Sequence, residues 1–261
     1  MTTSVADAPA TASVRRLPVA LAALTVLLQI GYPLVSGGTR DALTVLTVVV
    51  FFLASATHAL LHRGARWTAL YLLVTTGTGL LAEAVGTATG VPFGQYDYAG
   101  TLGDKLLGVP VVIPLAWAMF AYPALLVGQR LARSTTGAAL VGGVALASWD
   151  LFLDPQMVEA GHWRFTDVRV DLPGAPGIPL SNYLGWLLVA VVMIGVLQLL
   201  GRTPRDGVSA DDRVPAALFL WTYGSSVLAN AVFFGRPAVA VVGGLGMGVV
   251  AVPYALSLRR R

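Results

Sequence analysis

Long apolar runs, broken at intervals by Gly, Pro and small groups of charge, organise the chain. Eight of them approach the roughly 20 residues that an α-helix needs to cross a bilayer: residues 17–36, 42–61, 67–86, 109–129, 136–153, 182–200, 214–234 and 237–257. None alternates with a period of two, and a chain in lipid must satisfy its backbone in helices or in a closed barrel. The pattern predicts an all-α integral membrane protein with eight transmembrane helices. Three regions are expected: a disordered Ala- and Thr-rich tail over 1–16, a single transmembrane helical domain over 17–257 and a basic tail over 258–261. Arg15 and Arg16 precede the first run as in a signal peptide, but its length and the lack of a small-x-small cleavage site favour a retained helix.

Composition strengthens this reading. With 56% hydrophobic residues, 11% charged residues and a mean hydropathy of +0.74, the chain is too apolar for an ordinary soluble domain. The net charge of +4 is spread over the ends of the apolar runs instead of forming one patch, so no nucleic-acid partner is expected. If the N-terminus is cytoplasmic, the inner side holds Arg15, Arg16, Arg63, Arg66, Arg130, Arg133, Arg202, Arg205, Arg213 and Arg259 to Arg261. Those twelve face only Arg40, Lys105, Arg164, Arg169 and Arg236 outside, which predicts both termini in the cytoplasm and a multi-pass protein of a bacterial inner (plasma) membrane. A homo-oligomer is compatible with this pattern. Cysteine is absent, which removes disulfides, thiolate nucleophiles and cysteine metal sites.

On this topology the acids gather at the outer end. Asp41, Glu83, Asp97, Asp104, Asp150, Asp154, Glu159, Asp167 and Asp171 all lie in the outer half or its loops. Glu83, Asp150 and Asp154 belong to helices, and an ionisable group in a span costs about 2.5 kcal/mol or more near the bilayer centre, so it faces a cavity or a partner. Asp150 and Asp154 are four residues apart, just over one helical turn, and share a face. Structural roles compete with functional ones: Asp154 before Pro155 fits a helix stop, Glu83 could bond a neighbouring helix, and Asn182 after Ser181 could cap the sixth run. Two outer loops, 87–108 and 154–181, exceed what connection requires and carry Tyr96, Asp97, Tyr98, Trp163 and Phe165, a pattern of binding elements. His162 is the only imidazole near the acids, a poor set for zinc or iron, so no metal is expected.

Three ordered blocks, GVPFGQYDYAGTLGDKLLGVPVVIPLAW, WDLFLDPQMVEAGHW and GIPLSNYLGW, resemble the membrane carotenoid hydratases that act on acyclic end groups, the bacterioruberin-pathway and gamma-carotene hydratases. The likeness covers roughly residues 80–190 and implies functional roles for Glu83, Tyr96, Asp150, Asp154, Trp163 and Asn182. It departs at Phe165, where the family pattern suggests a second Trp, and in APGIPL, which lacks an aromatic pair before Gly177.

The implied reaction adds water to a terminal isoprenoid C=C without a cofactor, as a hydro-lyase does in reverse. A carboxylic acid protonates one alkene carbon, and water captures the tertiary carbocation left on the other. Two acids one turn apart beside a third suit this, one holding a proton while another orients water. Asp150, Glu83 and Asp154 are therefore the candidate catalytic residues. Tyr96, Trp117, Trp149 and Trp163 are candidates to steady the cation, an effect of up to about 2 kcal/mol in a dry site, although Trp and Tyr also populate membrane interfaces. Asn182 and Asp97 complete the expected substrate-binding set. The expected partners are a carotenoid drawn sideways from the bilayer and water. A cofactor-free carotene cyclase or isomerase shares the protonation step, and a proton-coupled transporter also uses intramembrane acids, though it usually shows repeats and midplane sites absent here.

Overall fold

The computed structural model describes residues 12–172, 174–200 and 212–259. The stretch 1–11, Arg202, Arg205, Asp206, Asp211 and the last two arginines of the basic tail lie outside the described residues. Among the described residues, eight spans are long and apolar enough to cross a membrane. They are α1 (Ala12–Gly31), α2 (Gly37–Arg63), α3 (Ala65–Thr89), α4 (Val112–Leu131), the pair α5 (Thr135–Ala147) and α6 (Asp150–Glu159), α7 (Leu180–Leu199), α8 (Arg213–Leu228) with a π turn over Ala229–Phe233, and α9 (Pro237–Arg259). A 3-10 turn over Tyr32–Leu34 follows α1, which begins at Ala12, within the stretch expected as a tail.

Local chemistry sets the boundaries. Gly64 (φ 82°) separates α2 from α3, and Gly90 closes α3 in the left-handed conformation that lets its N–H reach the Gly86 carbonyl. Ser134 caps α5 by accepting from the Gly137 N–H at 3.0 Å. Pro237 opens α9, where a missing N–H costs nothing.

α4 is the centre of the bundle, packed against α2, α3, α5, α7, α8 and α9. Its Trp117, Phe120 and Tyr122 are fully buried. Outward-facing Leu73, Leu81, Leu188, Leu245 and Val249 are exposed, as expected for side chains that meet lipid. Together these features make the chain a multi-pass membrane protein.

The fifth span departs from expectation. It does not stop at Asp154–Pro155: the helix breaks earlier, at Ser148 and Trp149, restarts at Asp150 and runs to Glu159 with Pro155 inside it. The restart matters physically, because it places Asp154 inside a regular helix that begins at Asp150, with both on one face.

Both long loops contain strands. β1 (Tyr96–Tyr98) pairs antiparallel with β4 (Trp163–Phe165), β2 (Lys105–Leu106) with β3 (Val109–Pro110), and β5 (Asp171–Leu172) with β6 (Ala175–Pro179). The register Tyr96↔Phe165, Asp97↔Arg164, Tyr98↔Trp163 ties the two loops together at the bundle end where α3 and α6 finish and α7 begins.

Candidate active site

The site starts from one face of α3. Gly79, Glu83 and Gly86 fall at i, i+4 and i+7, so they line one stripe. A Cβ on Gly79 would lie 2.9 Å from the Trp117 ring, and one on Gly86 only 2.7 Å from Phe93 and 2.8 Å from the Tyr96 hydroxyl oxygen. The absence of side chains there lets the aromatic rings lie against the helix and reach the carboxyl between the two glycines. Glu83 Oε2 accepts from the Tyr96 hydroxyl at 2.5 Å and the Tyr98 hydroxyl at 2.8 Å, and Oε1 accepts from Trp117 Nε1–H at 3.0 Å. Burial, reinforced by the neighbouring Glu83 charge, pushes both phenols well above the usual tyrosine range, so they remain O–H donors.

α6 supplies the other two acids. Asp150 and Asp154, on one face, are 0% and 2% exposed. Asn182, the third residue of α7, donates from Nδ2 to Asp150 Oδ2 at 2.8 Å and to Asp154 Oδ2. The two N–H bonds of a single amide thus clamp both carboxyls. This replaces the expected capping role, since α7 is preceded by Pro179 and Asn182 points at the acids. Trp163 Nε1–H donates to Asp154 Oδ1 at 3.0 Å, whereas Asp150 Oδ1 has no hydrogen-bond partner among the described residues.

Two adjoining cavities meet at this cluster. The smaller, about 30 Å³, is lined by Glu83, Asp154 and Asn182 with Tyr96, Tyr98, Trp117, Trp186 and Phe165 among its aromatic walls. A water needs about 10–15 Å³ of such space, so the chamber has room for about two or three. The larger, about 150 Å³, is lined mainly by apolar groups. Ile113, Ala116, Leu153 and Trp163 belong to the lining of both and form the partition between them.

Most of the residues singled out in the sequence converge here, with distinct positions. Glu83, Asp154, Tyr96, Trp117, Trp163 and Asn182 line the acid chamber. Asp150 lines neither cavity, and Trp149 lines only the larger one. Asp97 is not part of the site: strand alternation buries Tyr96 and turns Asp97 to the exposed face. That same alternation brings in Tyr98, which the i, i+2 spacing from Tyr96 could have revealed. Trp186 was also missed. It stacks on Trp117 at 3.9 Å between ring centroids, and its position one turn after Asn182 was the available signal.

His162 is buried next to Trp163 in the chain but outside the chamber lining, with Nδ1 2.7 Å from Thr101 Oγ1 and Nε2 3.8 Å from Asp41. Burial pushes its pKa down, partly opposed by Asp41. Among the described residues, no group of three or more His, Cys, Asp or Glu is arranged to hold a metal ion.

A family model described as carotenoid biosynthesis protein matches residues 43–252, a range that contains all three acids and their donors. The chain belongs to that family. It is 33% identical over 173 residues to the bisanhydrobacterioruberin hydratase of Haloarcula japonica, an alignment covering 62% of this chain and 57% of the relative. It is also 32% identical over 130 residues to a subunit of the Na(+)-translocating NADH-quinone reductase of Azotobacter vinelandii, covering 44% of this chain and 31% of that protein. The chain thus matches less than two thirds of the length of either curated relative. No solved structure matches it significantly.

Proposed function

We propose that this protein is a carotenoid hydratase that adds water to a terminal C=C of an acyclic carotenoid end group. One observation carries the reading. A water-sized chamber walled by Glu83, Asp154 and Asn182 shares a partition with a larger apolar cavity able to take the end of a polyene. Family membership and the hydratase relative support the same activity.

The residues suggest a division of labour. Three carboxyl groups converge with no lysine, arginine or histidine in the chamber lining, and three uncompensated charges in such a setting are strongly disfavoured. We therefore assign one shared proton to the Asp150–Asp154 pair, delivered from Asp154 because only Asp154 lines the chamber. Glu83, held by three donors, provides the fixed negative charge opposite the developing cation.

Proton transfer from Asp154 breaks the alkene π bond, forms a C–H bond at the less substituted carbon and leaves a tertiary cation. The stacked Trp117 and Trp186 rings offer it a π face. A water oxygen then forms the C–O bond, and the surplus proton of the resulting oxonium returns to the ionised carboxylate pair, restoring the starting state.

The test is to supply the purified protein, or a lycopene-making host that expresses it, with acyclic carotenoid and weigh the products. A product heavier by one water supports hydration. An isomer of unchanged mass would replace hydration by cyclisation or isomerisation, and unaltered pigment would refute catalysis on this substrate class.

A further inference from the structure

The polar groups of the acid chamber are deeply buried, with Glu83, Asp154 and Asn182 each at 3% exposure or less. Hydration nevertheless consumes a water at every turnover. That water must arrive beside the cation without crossing the hydrocarbon of the bilayer.

The larger cavity has two unlike walls. Val112, Ile113, Ala116, Phe152 and Leu153, from α4 and α6, form a carbon wall that includes three residues of the partition, Ile113, Ala116 and Leu153. The turn after α1 together with α2 and α8 contributes hydroxyls to the lining: Tyr32, Thr44, Thr47, Thr222, Ser225 and Ser226. Three of these are occupied within their own helices, since Thr44 donates to the Arg40 carbonyl, Thr222 to Leu218 and Ser225 to Thr222. Tyr32 and Thr47 differ. Their residues are 8% and 9% exposed, and neither hydroxyl has a hydrogen-bond partner among the described residues.

A buried hydroxyl left unpaired costs free energy, and native proteins satisfy nearly all such groups with protein or with ordered water. A cavity of about 150 Å³ is roomy enough for several waters. We propose that the Tyr32 and Thr47 hydroxyls mark the inlet by which the reacting water passes along the hydroxyl wall to the acid chamber, while the polyene lies on the carbon wall. The inference rests on the hydratase reading and deepens it: Tyr32 and Thr47 are positioning residues for the second substrate.

The cation offers a readout that a structural role would not move. It either gains water and becomes the alcohol, or loses a proton to a carboxylate and returns to an alkene. In D2O the acid delivers a deuteron, so an abortive event in which the cation loses one of its other β-hydrogens leaves deuterium in the recovered polyene or its double-bond isomer. The ratio of deuterated alkene to alcohol therefore reports how readily water is at hand.

Thr47→Val removes the hydroxyl at nearly constant shape, and Tyr32→Phe does so independently. Each is expected to raise that ratio about fivefold, the size of one weakened hydrogen bond, with KM for the polyene unchanged. Thr47→Ser restores a hydroxyl and should return the ratio to the wild-type value. An unchanged ratio in both hydroxyl-deleted variants with turnover intact overturns the inlet. So does a rise in polyene KM at constant ratio, which would assign the hydroxyls to the polyene itself. A wild-type protein that neither hydrates nor deuterates the polyene refutes the hydratase reading and the inlet with it, a pattern distinct from failure of the inlet alone.

Discussion

Replacing Asn182 by Leu keeps the bulk of the side chain and deletes the one amide that serves two buried carboxyls. In the native chain its Nδ2 donates to Asp150 Oδ2 at 2.8 Å and to Asp154 Oδ2. Leaving a buried acceptor without its donor costs about 1–3 kcal/mol. The two losses are not independent, because Asp150 Oδ1 is already without a partner among the described residues and the pair can redistribute its proton. The joint cost is therefore about 2–4 kcal/mol. If the clamp holds Asp154 in its delivering orientation, much of that cost appears in the rate, and about 2–4 kcal/mol corresponds to roughly 30- to 1,000-fold. Thermal unfolding in detergent, read by loss of the monodisperse peak, should show a lower midpoint, and alcohol formation should fall by at least about 30-fold. Combining Asn182→Leu with Asp150→Leu, which deletes the acceptor, should cost less than the sum of the single changes by about 0.5–3 kcal/mol, since both remove the same contact. A variant with wild-type midpoint and wild-type turnover would refute the clamp. Strict additivity in the double variant would show that Asn182 and Asp150 act separately.

Other perturbations follow from the same geometry. Gly86→Val should cut alcohol formation at least about tenfold without loss of membrane insertion, because the new side chain meets Phe93 at 2.7 Å and the Tyr96 hydroxyl at 2.8 Å and displaces a Glu83 donor; normal turnover would contradict that packing. Asp97→Asn should leave product yield unchanged within experimental error, since Asp97 is exposed and outside the cavities. His162 gives a pH-dependent term: its folded pKa is lowered, so the folded state favours the neutral ring, stability is full above about 6.5 and falls as pH drops below that value. Detergent-solubilised His162→Gln should accordingly lose less stability on acidification than the parent, as measured by thermal midpoints across that range.

The spans and much of the site were legible because membranes punish polar residues that have no partner. Glu83, Asp150 and Asp154 stood out in apolar surroundings, and the i, i+4 spacing of the two aspartates survives as a shared helix face. Pairings between distant segments were not legible. β1 and β4 are separated in the chain by α4, α5 and α6, and nothing local to Tyr96–Tyr98 or Trp163–Phe165 names the other as its partner; yet that pairing is what turns Tyr98 inward and Asp97 outward. Local rules read Pro155 as a stop, whereas the helix restarts at Asp150 early enough to contain it. Trp186 was hidden for another reason: in an apolar run a tryptophan looks like any lipid-facing or packing residue until Trp117 is found stacked on it. Which aspartate faces the chamber depends on the rotation of α6 against α7, and nothing in the spacing of Asp150 and Asp154 encodes that rotation.

The central claim, that Asp154 hands a proton to a polyene end and water takes the cation, is tested most directly by running the purified protein in D2O and comparing it with Asp154→Asn. The account predicts that the wild type forms an alcohol heavier by one water, with a deuteron on the carbon adjacent to the one that bears the new hydroxyl, and that folded Asp154→Asn yields neither this alcohol nor deuterated polyene. Wild-type levels of deuterated alcohol from folded Asp154→Asn would contradict it.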